Sequence, residues 1–237
     1  MLKRVMSFPS VGLGVALFLI DELIKKQLVR KVKHPDARAS EMPKIGMEPV
    51  RKQALIEACI AEIGHAGTLD VTVSQIAKRA GMSSALAHHY FGSKEQIFLA
   101  TMRHVMRIYG ETVLRGLKNA RTPLERIRVI TDSSFDSNQF EREIVAAWLN
   151  FYVRALHSAE TRRLLNVYAR RLQTNLLHDL RKIFPEATAI EVAQGIAALI
   201  DGFYIRSALQ DQVPGRVTIK AIIADYLTLW LERKARD

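Results

Sequence analysis

The stretch from Thr72 to Lys94, TVSQIAKRAGMSSALAHHYFGSK, constrains the chain more than any other, because it writes out two short helices joined by a tight turn. Thr72 and Gln75 have the T-x-x-Q spacing of a capping box, in which the hydroxyl accepts the backbone N–H at Gln75 and the glutamine reaches back. A helix therefore starts at Val73. Its apolar positions Val73, Ile76, Ala77 and Ala80 recur at helical spacing, and Gly81 stands where a left-handed cap needs no Cβ. Ser83 or Ser84 can cap a second helix over Ala85 to Tyr90, and this order is that of a helix-turn-helix.

The second helix of such a unit lies in the major groove of DNA, and its residues suit that place. Small side chains at Ser83, Ser84, Ala85 and Ala87 let the backbone approach base edges, while His88, His89 and Tyr90 supply donors at the rim. Lys94 stands in the first turn of the next helix, capped by Ser93 with Gln96 three residues on. Tyr90 and Lys94 are the expected phosphate clamps. Upstream, Lys44 lies in an arm and Arg51 in the first turn of a helix from about Pro49 to His65, which Gly64 and Gly67 are expected to end. The DNA-binding set is therefore Lys44, Arg51, Thr72, Ser83, Ser84, Ala85, His88, His89, Tyr90 and Lys94; for Lys44 a solvated basic start is an equal reading.

The YFGSK segment at 90–94, closing the motif, resembles the TetR family of bacterial transcription regulators. MPKIGMEPVR at 42–51, SSALAHHYFGSK at 83–94, ATMRH at 100–104 and AALIDG at 197–202 are similar to that family's choline-responsive repressors of glycine betaine synthesis. The resemblance covers Met42 to about Trp230. It implies a cytoplasmic homodimer on a pseudo-palindromic operator in double-stranded DNA, repressing choline uptake and betaine synthesis until choline binds. The alternative is a family member that senses another cationic or amphipathic compound and controls efflux or catabolic genes.

Composition bounds the rest. A net charge of +11 over 237 residues suits a polyanionic partner. The single cysteine, Cys59, excludes an intramolecular disulfide and suits a reducing compartment. There is no G-x-S-x-G, P-loop, H-E-x-x-H or cysteine cluster, so no enzyme, cofactor or metal site is expected. Residues 1–41 stand apart: Lys3 and Arg4 precede an apolar run over Val5–Ile20, short of the roughly 20 residues that span a bilayer. They are expected to be an extension ahead of the usual start at Met42; a real appendage, on a membrane surface or packed on the body, is the other reading. No membrane partner is expected for the body itself.

Beyond the motif every segment has helical periodicity, so the fold class is all-α, with a DNA-binding domain over 42–95 and a helical effector-binding and dimerisation domain over 96–237. Helices are expected at Ser93–Lys118, which would act as the lever between the two domains, and at 123–135, 139–157, 159–184, 187–209 and 217–233. The last two carry broad apolar faces, Val192, Ile196, Leu199, Ile200 and Phe203 with Ile219, Ile222, Ile223, Tyr226 and Trp230, which a four-helix bundle across a two-fold axis would cover. A quaternary ammonium effector cannot donate an N–H bond and is held by aromatic faces beside a carboxylate. Trp148, Phe151, Tyr152, Asp201 and Tyr204 are the candidates, although Arg154 or Arg206 could instead partner Asp201 and the aromatic residues could be plain core.

Overall fold

Nine helices account for the regular structure of the described residues: α1 (Glu48–Ala66), α2 (Val73–Arg79), α3 (Ser84–Phe91), α4 (Lys94–Leu117), α5 (Pro123–Ser133), α6 (Arg142–Ala155), α7 (Ala159–Leu180), α8 (Glu186–Leu209) and α9 (Arg216–Lys234). They are seen in a computed structural model that describes residues 46–67, 70–136 and 139–236, so Lys44 and the expected extension over 1–41 lie outside the described residues. Gly46–Asp237 form one unit, and the fold is all-α, as the periodicity predicts.

The caps read from sequence do their work. The Thr72 and Thr122 boxes are both reciprocal, each threonine accepting from its third helical residue and each Gln75 or Glu125 side chain accepting from the cap backbone. Ser83, Ser93 and Ser158 cap α3, α4 and α7 in the same way from the side-chain side. At Ser93 the box is incomplete: the Gln96 amide is drawn away to Glu160 of α7, 3.1 Å distant. Helix α6 begins three residues later than the periodicity suggests. Helix α7 stops at Leu180, and the Ile183 and Phe184 amides fold back on the Leu180 carbonyl before Pro185.

Gly64 does not end α1. The helix runs through it to Ala66, and Gly67, at φ +66°, makes the left-handed cap. Gly64 is where α1 meets α6: a Cβ there would stand 2.8 Å from the Glu143 backbone Cα, closer than carbon atoms approach. Helices α1, α2 and α3 pack on one another, and α1 also lies on α4 and α6. Helix α8 runs through the body against α6, α7 and α9, while α9 also touches α5. Helix α8 is long and apolar enough to cross a membrane by composition, yet Val192, Ile196, Ile200 and Phe203 are buried in the core. With Ile219 and Ile223, also buried, these residues fill the chain's own interior rather than lying free for a second copy. Of the expected face Ile222 is exposed and Leu199, Tyr226 and Trp230 are half-buried, and Ile205, Leu209, Val217 and Leu229 add further exposed apolar surface at this end.

One buried carboxylate ties the outer helices. Asp179 of α7, with a side chain only 1% exposed, accepts from Arg126 Nε of α5 at 2.9 Å, from Lys182 Nζ at 2.8 Å, and faces His178 Nδ1 at 3.2 Å. Burial pushes its carboxyl up, but the hydrogen bonds from Lys182, His178 and Arg126 together outweigh burial and hold it below the usual range. A depressed carboxyl stabilises the fold above its unfolded pKa and loses that contribution as pH falls through the folded one. Asp179→Ala is therefore expected to cost about 3 kcal/mol in urea unfolding at pH 7, and the gap from the parent protein is expected to narrow as the buffer falls below about pH 4.

Candidate DNA-reading surface and effector cavity

The helix-turn-helix presents a mixed set of groups. Ala85, His88, His89 and Lys94 are exposed, Ser84 is half-buried, and Ser83 spends its hydroxyl on the Leu86 amide at 3.2 Å. Thr72 is exposed but committed to its cap, with Gln75 Oε1 accepting from the Thr72 amide at 2.6 Å and from its hydroxyl at 2.8 Å. Ala87 faces away from any groove: it is fully buried against the first two helices and serves packing alone. Its small size matters because α3 crosses its neighbours closely, not because DNA approaches it. His88 Nδ1 lies 3.1 Å from the Gly92 carbonyl, which closes the end of α3. Arg51 Nη1 of α1 donates to the Tyr90 hydroxyl at 3.2 Å, so two residues 39 apart in sequence form one polar edge. Lys94 opens α4, where free backbone N–H groups and the helix dipole already favour an anion.

The second site lies in the helical body. Trp148 and Tyr152, one turn apart on α6, face Tyr168 of α7; the Trp148 ring centroid is 4.7 Å from that of Tyr168 and 5.9 Å from that of Tyr152. The Tyr152 hydroxyl donates to Asp201 Oδ1 of α8 at 2.8 Å. Burial pushes the Asp201 carboxyl up, with the Tyr152 hydrogen bond opposing it. Among the described residues no cation pairs with Asp201: Arg154 is turned to Glu95 at 3.3 Å, and Arg206 points to solvent. A cavity of about 330 Å³ opens beside this group between α7 and α8, at the small end of the range for ligand sites.

Of the remaining candidates, Trp148 and Tyr204 are buried behind the cavity and do not line it; their rings are 6.2 Å apart, and the Tyr204 hydroxyl donates to the Ser134 and Gln139 carbonyls at 2.6 and 2.8 Å. Phe151 is fully buried against Phe98 of α4 and does not line the cavity. Tyr168, which does, was not singled out by sequence. The available signal was an aromatic residue four positions from both Leu164 and Leu172, on the inward stripe of an otherwise basic helix.

Helix α6 joins the two sites. Glu143, Asn150 and Arg154, spaced at i, i+7 and i+11, share one face. Glu143 seats Gly64, the Asn150 amide donates to the Gly67 carbonyl at 3.4 Å, and Arg154 pairs with Glu95 at the start of α4. Trp148 and Tyr152 occupy the opposite face. Ser158, just past the end of α6, also donates to Glu95, at 2.8 Å, and Glu160 receives Gln96 and Arg103.

These two sites on one helical frame define a helix-turn-helix transcription regulator with a ligand cavity. Residues 55–101 match the bacterial regulatory proteins of the tetR family, and residues 123–232 match the C-terminal part of BetI-type transcriptional repressors. The HTH-type transcriptional regulator BetI of Brucella suis is 50% identical over 190 residues, covering 80% of this chain and 96% of that protein. That of Agrobacterium fabrum is 49% identical over 191 residues, covering 81% and 93%. The chain belongs to the TetR family of bacterial transcription regulators, in its BetI-type branch, a family of regulators and not of enzymes. Its fold is also that of a putative transcriptional regulator from Saccharomonospora viridis crystallised in complex with choline, with a TM-score of 0.69 at 20% identity over 76% of this chain and 96% of that one.

Removing one phosphate contact lowers affinity for all DNA sequences alike. Lys94→Ala is expected to weaken specific and non-specific DNA binding together and to reduce the slope of log K against log salt by about 1, read by fluorescence anisotropy at several salt concentrations.

Proposed function

We propose that this protein represses the genes for choline uptake and glycine betaine synthesis, and that choline binding releases it from the operator. It works in the cytoplasm as a homodimer on a pseudo-palindromic site. Residues 42–95 read DNA, and residues 96–237 bind effector and dimerise. Lys44, Arg51, Tyr90 and Lys94 are assigned to phosphate; Ser83, Ser84, Ala85, His88 and His89 are assigned to the groove, with Thr72 holding the cap behind them. The exposed residues Ile205, Leu209, Val217, Ile222 and Leu229 at the α8–α9 end support the dimer surface.

The observation that carries the reading is a half-buried carboxylate, Asp201, beside the Tyr152 and Tyr168 rings with no cation partner among the described residues. A buried charge without a partner is costly, and a cation that cannot donate a hydrogen bond is best held by ring faces. A quaternary ammonium meets both conditions at once. Tyr152 and Tyr168 line the cavity and supply the faces, Asp201 supplies the charge, and Trp148, Tyr204 and Phe151 fix those rings from behind. The choline complex of the Saccharomonospora viridis protein supports the choice among such cations.

Release follows from linkage. Choline drawn between α7 and α8, against Tyr152 of α6, favours a different seat for α6, and the face carrying Glu143, Asn150 and Arg154 passes that shift to α1 and α4, altering the spacing of the two recognition helices. A coupling of about 1–3 kcal/mol changes operator affinity roughly 5–150-fold.

Titration of choline into the protein on labelled DNA from its own upstream region is expected to displace it, while an unrelated amine leaves it bound; displacement by neither would remove the choline reading. Asp201→Asn is expected to keep operator binding and to weaken choline by about tenfold or more. Because burial raises the Asp201 carboxyl, choline affinity of the parent protein is expected to fall as acidification protonates it, at a higher pH than for an ordinary aspartate; in the Asn variant that pH dependence is expected to vanish.

A further inference from the structure

The cavity has a second end. Helix α8 puts Gln194 two turns before Asp201 on the same side, about 10 Å along the axis. On α7, Gln173 stands past Tyr168 toward that same end, and both glutamines line the cavity. Alanine and leucine side chains form the walls between the two ends. Among the described residues Asp201 is the only charged residue in the lining, and neither glutamine has a protein hydrogen-bond partner; Gln173 is half-buried and Gln194 is exposed at the cavity mouth.

Resting on the reading of Asp201 and its rings as a quaternary-ammonium cage, we propose that Gln173 and Gln194 are the specificity-determining residues that read the ligand's hydroxyl and reject a carboxylate in its place. A glutamine amide offers one acceptor and two donors, so the pair satisfies a hydroxyl, which both donates and accepts. A carboxylate only accepts. It would enter a cavity whose single charge has the same sign, with no lysine or arginine in the lining to offset its desolvation. The site is therefore built for a cation with a neutral, hydroxylated tail, and it discriminates against the zwitterion that oxidation of that hydroxyl to a carboxylate would produce.

The test compares three probes by calorimetry: choline; ethyltrimethylammonium, which lacks the hydroxyl; and glycine betaine. They are titrated into the full chain and into Gln173→Ala, Gln194→Ala and Gln173→Arg, each confirmed at the oligomeric state of the parent. The parent is expected to prefer choline to ethyltrimethylammonium by about tenfold and to bind glycine betaine more weakly than either. In the alanine variants the tenfold preference is expected to collapse while ethyltrimethylammonium affinity holds within about twofold. Gln173→Arg supplies the missing cation and is expected to raise glycine betaine affinity. A preference for choline that survives both alanine changes, or loss of both cations equally, would overturn the assignment while leaving the cage intact. Failure of the parent to bind any quaternary ammonium would remove the cage reading and this one with it.

Discussion

The structure turns on the seat of α1 against α6. Gly64 leaves no room between the two helices, so α6 cannot shift or rotate without moving α1, and α1 carries the packing of α2 and α3. Interiors packed at crystal-like density transmit displacement rather than absorb it. Trp148 and Tyr152 occupy the other face of the same helix, so one element of 14 residues would hold both ends of the proposed coupling. The long α4 was the expected lever because it bridges the two domains. Its first turn is latched to the α6–α7 junction through Glu95 and Gln96, which ties that helix to the same frame.

The two buried carboxylates of the body make opposite use of the same physics. Asp179 is surrounded by Arg126, Lys182 and His178, and its hydrogen bonds overcome the cost of burial, so it acts as a tie between α5 and α7. Asp201, half-buried, has a tyrosine hydroxyl and no cation among the described residues, and burial wins. Both sit at the ends of apolar helical stretches and look alike in one dimension. What separates them is which side chains three other helices bring to them.

Local chemistry was legible in advance wherever it depended on neighbours in sequence. The Thr72 and Thr122 boxes, the left-handed Gly81, the Ser83 and Ser93 caps and the order of the helices all follow from residues three or four apart. Misreadings cluster where two distant helices compete for one residue. Gly64 looked like a terminator because glycine usually ends helices, but α6 needed it in mid-helix. Ala87 looked like clearance for DNA, but the packing of α3 claimed it. The apolar faces of α8 and α9 looked like surplus, but Val192, Ile196, Ile219 and Ile223 are absorbed by the chain's own core.

The amino-acid order by itself determined the helix-turn-helix, its capping, the all-α class and the pairing of Trp148 with Tyr152, since each rests on helical periodicity and hydrogen bonds closed within one or two turns. Tertiary structure alone decided that Tyr168 lines the cavity beside Tyr152, that no cation among the described residues pairs with Asp201, that Arg51 meets Tyr90, and that α6 joins the cavity to α1 and α4. Those facts depend on the rotation of each helix about its own axis. That rotation is set by packing summed over every neighbouring helix, and no single stretch of sequence contains it.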